Sequence, residues 1–170
     1  TTTGNFIEPE TDLSFDGGAA SLGFERMYNS LSASIGAFGP GWASTADQRL
    51  TIDEDGAVWV QPSGRHIVFP RLGGGWDRAD GDSFWLHTTG TTNGVTADTV
   101  GGTGSAIGGA AAGGGGFVVS DNAGGRWVFD RAGRPVSVSR GPGTRVDHRW
   151  DGDRLVGLSH ERGRAVTIEW

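Results

Sequence analysis

Apolar residues along this chain alternate with polar ones over short runs and almost never recur at helical spacing, so the pattern is that of strands. In SLGFERMY (21–28) the even positions Leu22, Phe24, Arg26 and Tyr28 fall on one face, as alternation in a strand requires. The stretch 49–69 holds three such runs separated by DEDG and PSG, and an Asp-Gly pair between alternating runs is a strong hairpin signal. SFWLHT at 83–88 is another candidate strand. The predicted fold is therefore all-β, an antiparallel meander of β-hairpins.

The last forty residues carry an internal repeat. In blocks of ten they read RAGRPVSVSR, GPGTRVDHRW, DGDRLVGLSH and ERGRAVTIEW, with Val136, Val146, Val156 and Val166 at one phase. Each block is a turn followed by a strand, and regularity of this kind is an architectural signal. Three-residue loops GPG, DGD and ERG would set Arg140 opposite Thr144, Trp150 opposite Arg154 and His160 opposite Arg164. A four-residue loop, DRAG, would pair Phe129 with Arg134 and Trp127 with Val136, keeping both rings on the apolar face. The expected result is a five-stranded meander whose last strand, 165–170, presents a bare edge. The first residue is not Met and the pattern stops within a unit, so the chain reads as a segment of a longer protein.

Between these two regions the pattern breaks. Residues 88–116 are rich in Gly, Ala and Thr and almost free of charge, so a loop between Leu86 and Phe117 is expected there. This divides the chain into an N-terminal β region (1–87), a low-complexity loop (88–116) and the start of the repeats (117–170).

Charge narrows the function. Residues 1–116 carry a balance of −8 and residues 117–170 one of +2, for a net −6. A nucleic-acid partner is disfavoured, because binding one requires a basic surface that displaces counterions. No apolar run is long enough for a membrane helix, so membrane insertion by this segment is not expected. Cysteine is absent, which excludes disulfides and thiolate metal sites.

Candidate chemistry is sparse. The predicted register places His148 opposite Val156, with His160 about 13 Å further along at ~3.3 Å per residue, too far for a metal pair. Glu8, Glu10 and Asp12 alternate, and read as a solvated edge rather than a calcium site. No nucleophile elbow, phosphate loop or zinc-protease motif is present, and the expectation is a non-catalytic chain with no cofactor and no metal. Of the seven Trp, Trp127 and Trp150 share phase with the valines and belong to a core. Trp76 and Trp85 are the candidate sugar contacts, since an exposed indole can stack on a sugar ring.

Two sets of motifs carry a resemblance. FDRAGR (129–134) and WDGDR (150–154) each show aromatic, Asp, turn, Arg, with Phe129-Asp130 and Trp150-Asp151 at the motif position. Ahead of them stand Thr3-Gly4-Asn5-Phe6, Thr11-Asp12-Leu13, Arg26-Met27-Tyr28-Asn29-Ser30, Phe38-Gly39-Pro40-Gly41-Trp42 and Gly64-Arg65 followed by Phe69. The chain resembles the N-terminal region of the core of RHS/YD-repeat proteins, with Phe and Trp in place of the Tyr of the repeat. The resemblance implies a β shell whose first segment this would be, enclosing a C-terminal toxin in bacterial members. It also implies a secreted or cell-surface protein whose partners are the rest of its own shell and its cargo, with glycans as the alternative partner. In that frame Tyr28, Asn29, Phe38, Gly39, Gly41 and Trp42 are expected to anchor a loop at the start of the shell.

Overall fold

The computed structural model describes residues 4–92, 95–97 and 115–170. They are all-β, with antiparallel sheets and a half-barrel curl. In chain order the strands are β1 (Ile7–Phe15), β2 (Leu22–Asn29), β3 (Ile35–Gly36), β4 (Gly39–Pro40), β5 (Trp42–Ser44), β6 (Arg49–Ile52), β7 (Gly56–Val60), β8 (His66–Leu72) and β9 (Gly75–Trp76). Then follow β10 (Phe84–Thr88), β11 (Gly90–Thr92), β12 (Val95–Ala97), β13 (Phe117–Asp121), β14 (Arg126–Phe129), β15 (Pro135–Ser139), β16 (Val146–Asp151), β17 (Arg154–His160) and β18 (Ala165–Thr167).

The repeat region forms a seven-stranded sheet in the order β10-β13-β14-β15-β16-β17-β18. Most of the 88–116 segment lies outside the described residues. The strands flanking it, β10 and β13, pair directly through Leu86↔Val119. Two smaller sheets come from the N-terminal part, β1-β2-β5 and β6-β7-β8-β9, together with the short two-stranded ribbon β3-β4. β1 is an edge strand blunted by Pro9, by its carboxylates and by a bulge at Asp12, where the register shifts between Thr11 and Leu13.

Register shows how the sheets stack. Leu86, Val119, Trp127, Val138 and Val146 are successive cross-strand partners or neighbours and so share one face. Leu158 and Val166 continue that face through the pairs His148↔Leu158 and Leu158↔Val166. Over its first half lies the β6–β9 sheet, whose Leu50, Ala57, Trp59, Ile67 and Phe69 form one core with Leu86, Val119, Trp127 and Phe129. Over its second half lies β2, whose Leu22 and Phe24 form a second core with Leu155 and Leu158. The two N-terminal sheets thus roof a single apolar face.

Two predicted registers are corrected. Trp127 pairs with Val138, not Val136, because the turn is a three-residue one and Val136 is an extra residue between Phe129↔Pro135 and Val128↔Ser137. Likewise Asp151 pairs with Arg154 across a two-residue turn, and Val156 is the extra residue that sets His148 opposite Leu158. Each β-bulge bends its strand, and the one at Val136 lets both rings, Trp127 and Phe129, stay inside despite the shift. The pairing expected from the GPG loop is the one observed, through Val138↔Val146 and Ser137↔Asp147.

Candidate functional site

Among the described residues, the side chains that converge form a junction between the N-terminal sheets and the repeat sheet. Its first element joins the RMYNS and FGPGW motifs. β2 and β5 pair Tyr28 with Trp42 and Arg26 with Ser44. Arg26 lies on the inward phase of β2, and its guanidinium sits 5.1 Å from the Phe38 ring centre and 4.8 Å from that of Trp42. Asp12 pairs with it at 3.0 Å. A cation held over two rings in a half-buried site is attracted by the ring quadrupoles, at about 0.5–2 kcal/mol per contact.

Rings continue outward on both sides of this clasp. Tyr28 lies 5.3 Å from Trp42 and 6.2 Å from Phe6, while Phe38 lies 5.9 Å from Phe24 and 6.1 Å from Trp170. Asn29 donates its N–H to Gly41 O at 2.8 Å, and its side-chain oxygen accepts from Leu31 N at 3.0 Å, closing the turn. Gly41 has φ +77°, and a Cβ there would come within 2.7 Å of the Tyr28 ring, so only glycine fits. Gly39 also has positive φ, at +104°. Asp47 pins the intervening hairpin: its carboxylate accepts from Ala37 N at 2.7 Å and from Ser44 Oγ at 2.6 Å. Arg26 and Asp47 were not singled out from sequence. Arg26 stood on an inward strand position, which was a readable signal; Asp47 gave none.

The second element is a row of turns along one side of the repeat sheet. In the first, the Asp130 carboxylate accepts from Arg134 N at 2.9 Å and from Arg134 Nε at 2.8 Å. Arg134 Nη1 also donates to Gly152 O in the next turn, tying the two units together. From the roofing sheet, Leu50 N donates to Gly133 O at 2.8 Å. Gly133 has φ +75°, and a Cβ there would strike Leu50 O at 1.8 Å. Arg49 donates to Ala132 O at 3.3 Å and pairs with Asp153 at 3.2 Å. Phe129 is buried in the first core, Trp150 packs at the edge of the second, and Asp151 is exposed at the tight turn.

Trp76 and Trp85 lie on β9 and β10. Both are half-buried. The Trp76 ring packs edge-on to Phe117 at 5.9 Å with the Arg71 guanidinium 5.4 Å from its centre, and its indole nitrogen is buried. Trp85 pairs with Ser120. No ring contact joins the two among the described residues.

His148 and His160 are diagonal neighbours on the inward face, because the two-residue turn at Asp151↔Arg154 and the bulge at Val156 together bring them two residues apart in register, about 7 Å at ~3.3 Å per residue. This replaces the longer separation expected from the unbulged register. His160 Nδ1 accepts from Arg162 N at 3.1 Å. Burial lowers the pKa of His148 to about 4, against smaller opposing effects of a main-chain hydrogen bond at Val146 and of Asp147. Among the described residues no group of three or more His, Asp or Glu side chains is placed to hold a metal ion.

Residues 1–69 match a family model described as a domain of unknown function, DUF6531. They include the clasp. Over 58 residues the chain is 43% identical to the tRNA nuclease WapA of Bacillus subtilis (strain 168), a match covering 34% of this chain and 2% of that protein. The tRNA(Glu)-specific nuclease WapA of Bacillus subtilis subsp. natto and the tRNA3(Ser)-specific nuclease WapA of Bacillus spizizenii match with the same identity and coverage. The matched part is thus a very small fraction of these curated relatives.

Proposed function

We propose that this chain is a non-catalytic structural segment that starts or seals the hollow β shell of an RHS polymorphic-toxin-type protein, with a C-terminal cargo inside. The observation that carries the reading is the roof: two N-terminal sheets bury one apolar face of the repeat sheet, at Trp127 and Phe129 under one and Leu155 and Leu158 under the other. A sheet of short units whose face is covered in this way by the preceding part of the chain has a defined start. The similarity to WapA nucleases supports a toxin-type parent acting outside the cell or at its surface. Their nuclease activity belongs to those proteins, and the stretch matched here is 2% of their length. The segment's partners would be the remainder of its own shell and the cargo.

The test is made on the full-length parent with residues 1–116 deleted and the repeats intact, asking whether the C-terminal cargo still resists protease. Loss of protection is the expected outcome. A cargo that stays sealed would make the segment an appendage and shift the weight to glycan binding, to be tried next by sugar titration of Trp76 and Trp85 fluorescence.

A further inference from the structure

Two tryptophans one double-unit apart make the same bond. The indole N–H of Trp150 donates to Pro135 O at 2.6 Å, and that of Trp170 donates to Leu155 O at 2.9 Å. Each reaches back 15 residues. Both acceptors immediately precede a bulged valine: Val136 follows Pro135, and Val156 follows Leu155.

A bulge interrupts the ladder, and a buried carbonyl left without a partner is costly. Pro135 and Leu155 are both fully buried. At Pro135 the next strand has already left the ladder, which between β15 and β16 runs only through Ser137↔Asp147 and Val138↔Val146. At Leu155 the corresponding ladder ends at Gly157↔Thr167 and is extended by Ile168 N to Val156 O at 3.1 Å. In each case the indole supplies the donor that the main chain no longer can.

The molecule contains its own control. Phe129 holds the same motif position as Trp150, but it has no N–H. The strand before it, β13, pairs with β10 from Phe84↔Asp121 to Thr88↔Phe117 without a register shift, whereas β15 before Trp150 and β17 before Trp170 are each bulged against the strand preceding them. A donor ring stands where the preceding strand is bulged, and a ring without a donor where it is not.

We infer that Trp150 and Trp170 are register clamps: the indole N–H of each holds open the bulge in the strand before it. The choice of Trp or Phe at this position then specifies whether that strand is bulged. Since a bulge bends its strand and adds right-handed twist, the clamp sets how much the sheet curls at each double unit. This holds whether or not the sheet encloses anything, so the enclosure reading and the clamp stand or fall separately.

The test replaces Trp150 in the 170-residue chain by benzothienylalanine, which keeps the ring's size and puts sulfur where the N–H was. Loss of one net hydrogen bond corresponds to roughly a two- to tenfold change in a local opening equilibrium. The amides of Val128 and Ser137, which flank the bulge, should exchange faster by that factor, and the Phe129–Pro135 cross-strand contact should weaken. Unchanged exchange and contacts would overturn the inference, leaving ring volume as the reason for tryptophan. The same replacement in a chain lacking Val136 should have no effect, since there is no bulge to hold; an equal effect in both chains would sever the link to the bulge. If that deletion does not fold, the replacement at Trp170 gives the second reading. Its effect should be confined to the pairs around Val156, and an effect at Val136 instead would count against the clamp.

Discussion

The two cores under the roof are built differently. In the first, Trp59 is the hub: its ring lies 5.0 Å from Trp127, 5.4 Å from Phe84 and 6.1 Å from Phe129, and its indole N–H donates to Gln48 Oε1 at 3.2 Å. Trp59, Ile67, Phe69 and Phe129 are all essentially inaccessible. In the second, four buried apolar residues share the space with two histidines and the arginine clasp. Phe38 and Trp170 at its margin remain 37% and 49% exposed. A core of interlocked rings tolerates no loss, whereas one closed by a cation, two imidazoles and half-exposed rings is more easily opened. The first half of the roof holds the fold together; the second is where it could be unseated.

The sharpest way to break this contrast is Trp59→Ala. Removing the hub should cost about 3–5 kcal/mol and collapse the whole denaturation transition, because both halves share one sheet. A loss confined to local exchange in β6–β8 would refute the hub. Next comes acid. His148 is held neutral by burial, with its pKa lowered to about 4 from an ordinary 6.5, so the unfolded chain takes up its proton first as pH falls. Its contribution is fully present above about pH 6.5 and is lost as the pH drops towards 4, up to about 3 kcal/mol in all. His148→Leu should flatten urea midpoints measured across that window, and an unchanged slope would contradict it. Arg26→Met, which keeps the stem and removes the charge, should cost about 1–2 kcal/mol and speed amide exchange in β2 and β5 while leaving β7 and β8 untouched. Smallest is Arg65→Ala. Its pair with Asp82, 2.8 Å long but with the arginine exposed to solvent, should contribute less than about 1 kcal/mol to stability read from the urea midpoint.

Strand positions were legible because alternation and Gly- or Asp-containing turns leave local marks, as at 49–69 and in every ten-residue block. The pairings at Val136 and Val156 were not. A repeat counts residues, while a bulge changes how many residues oppose one another, and all four phased valines look alike until the ladder is seen. The anchors at Tyr28, Asn29, Gly41 and Trp42 were readable as a turn between large rings. That a guanidinium would lie against both Phe38 and Trp42 depends on a loop folding back over β2, which no local pattern records. The error over His148 and His160 has the same origin as the valines, a turn one residue shorter than expected and one uncounted residue at 156.

In the proposed role, the roof over the second half of the repeat sheet closes the shell. The most direct measurement is protease digestion of the full-length parent carrying Phe24→Asp, which places a charge in the second core and leaves the first intact. The C-terminal cargo is expected to become digestible while the near-ultraviolet dichroism of the Trp59 ring cluster is retained. A cargo that remains protected, with amide exchange showing β2 detached from β17, would contradict it.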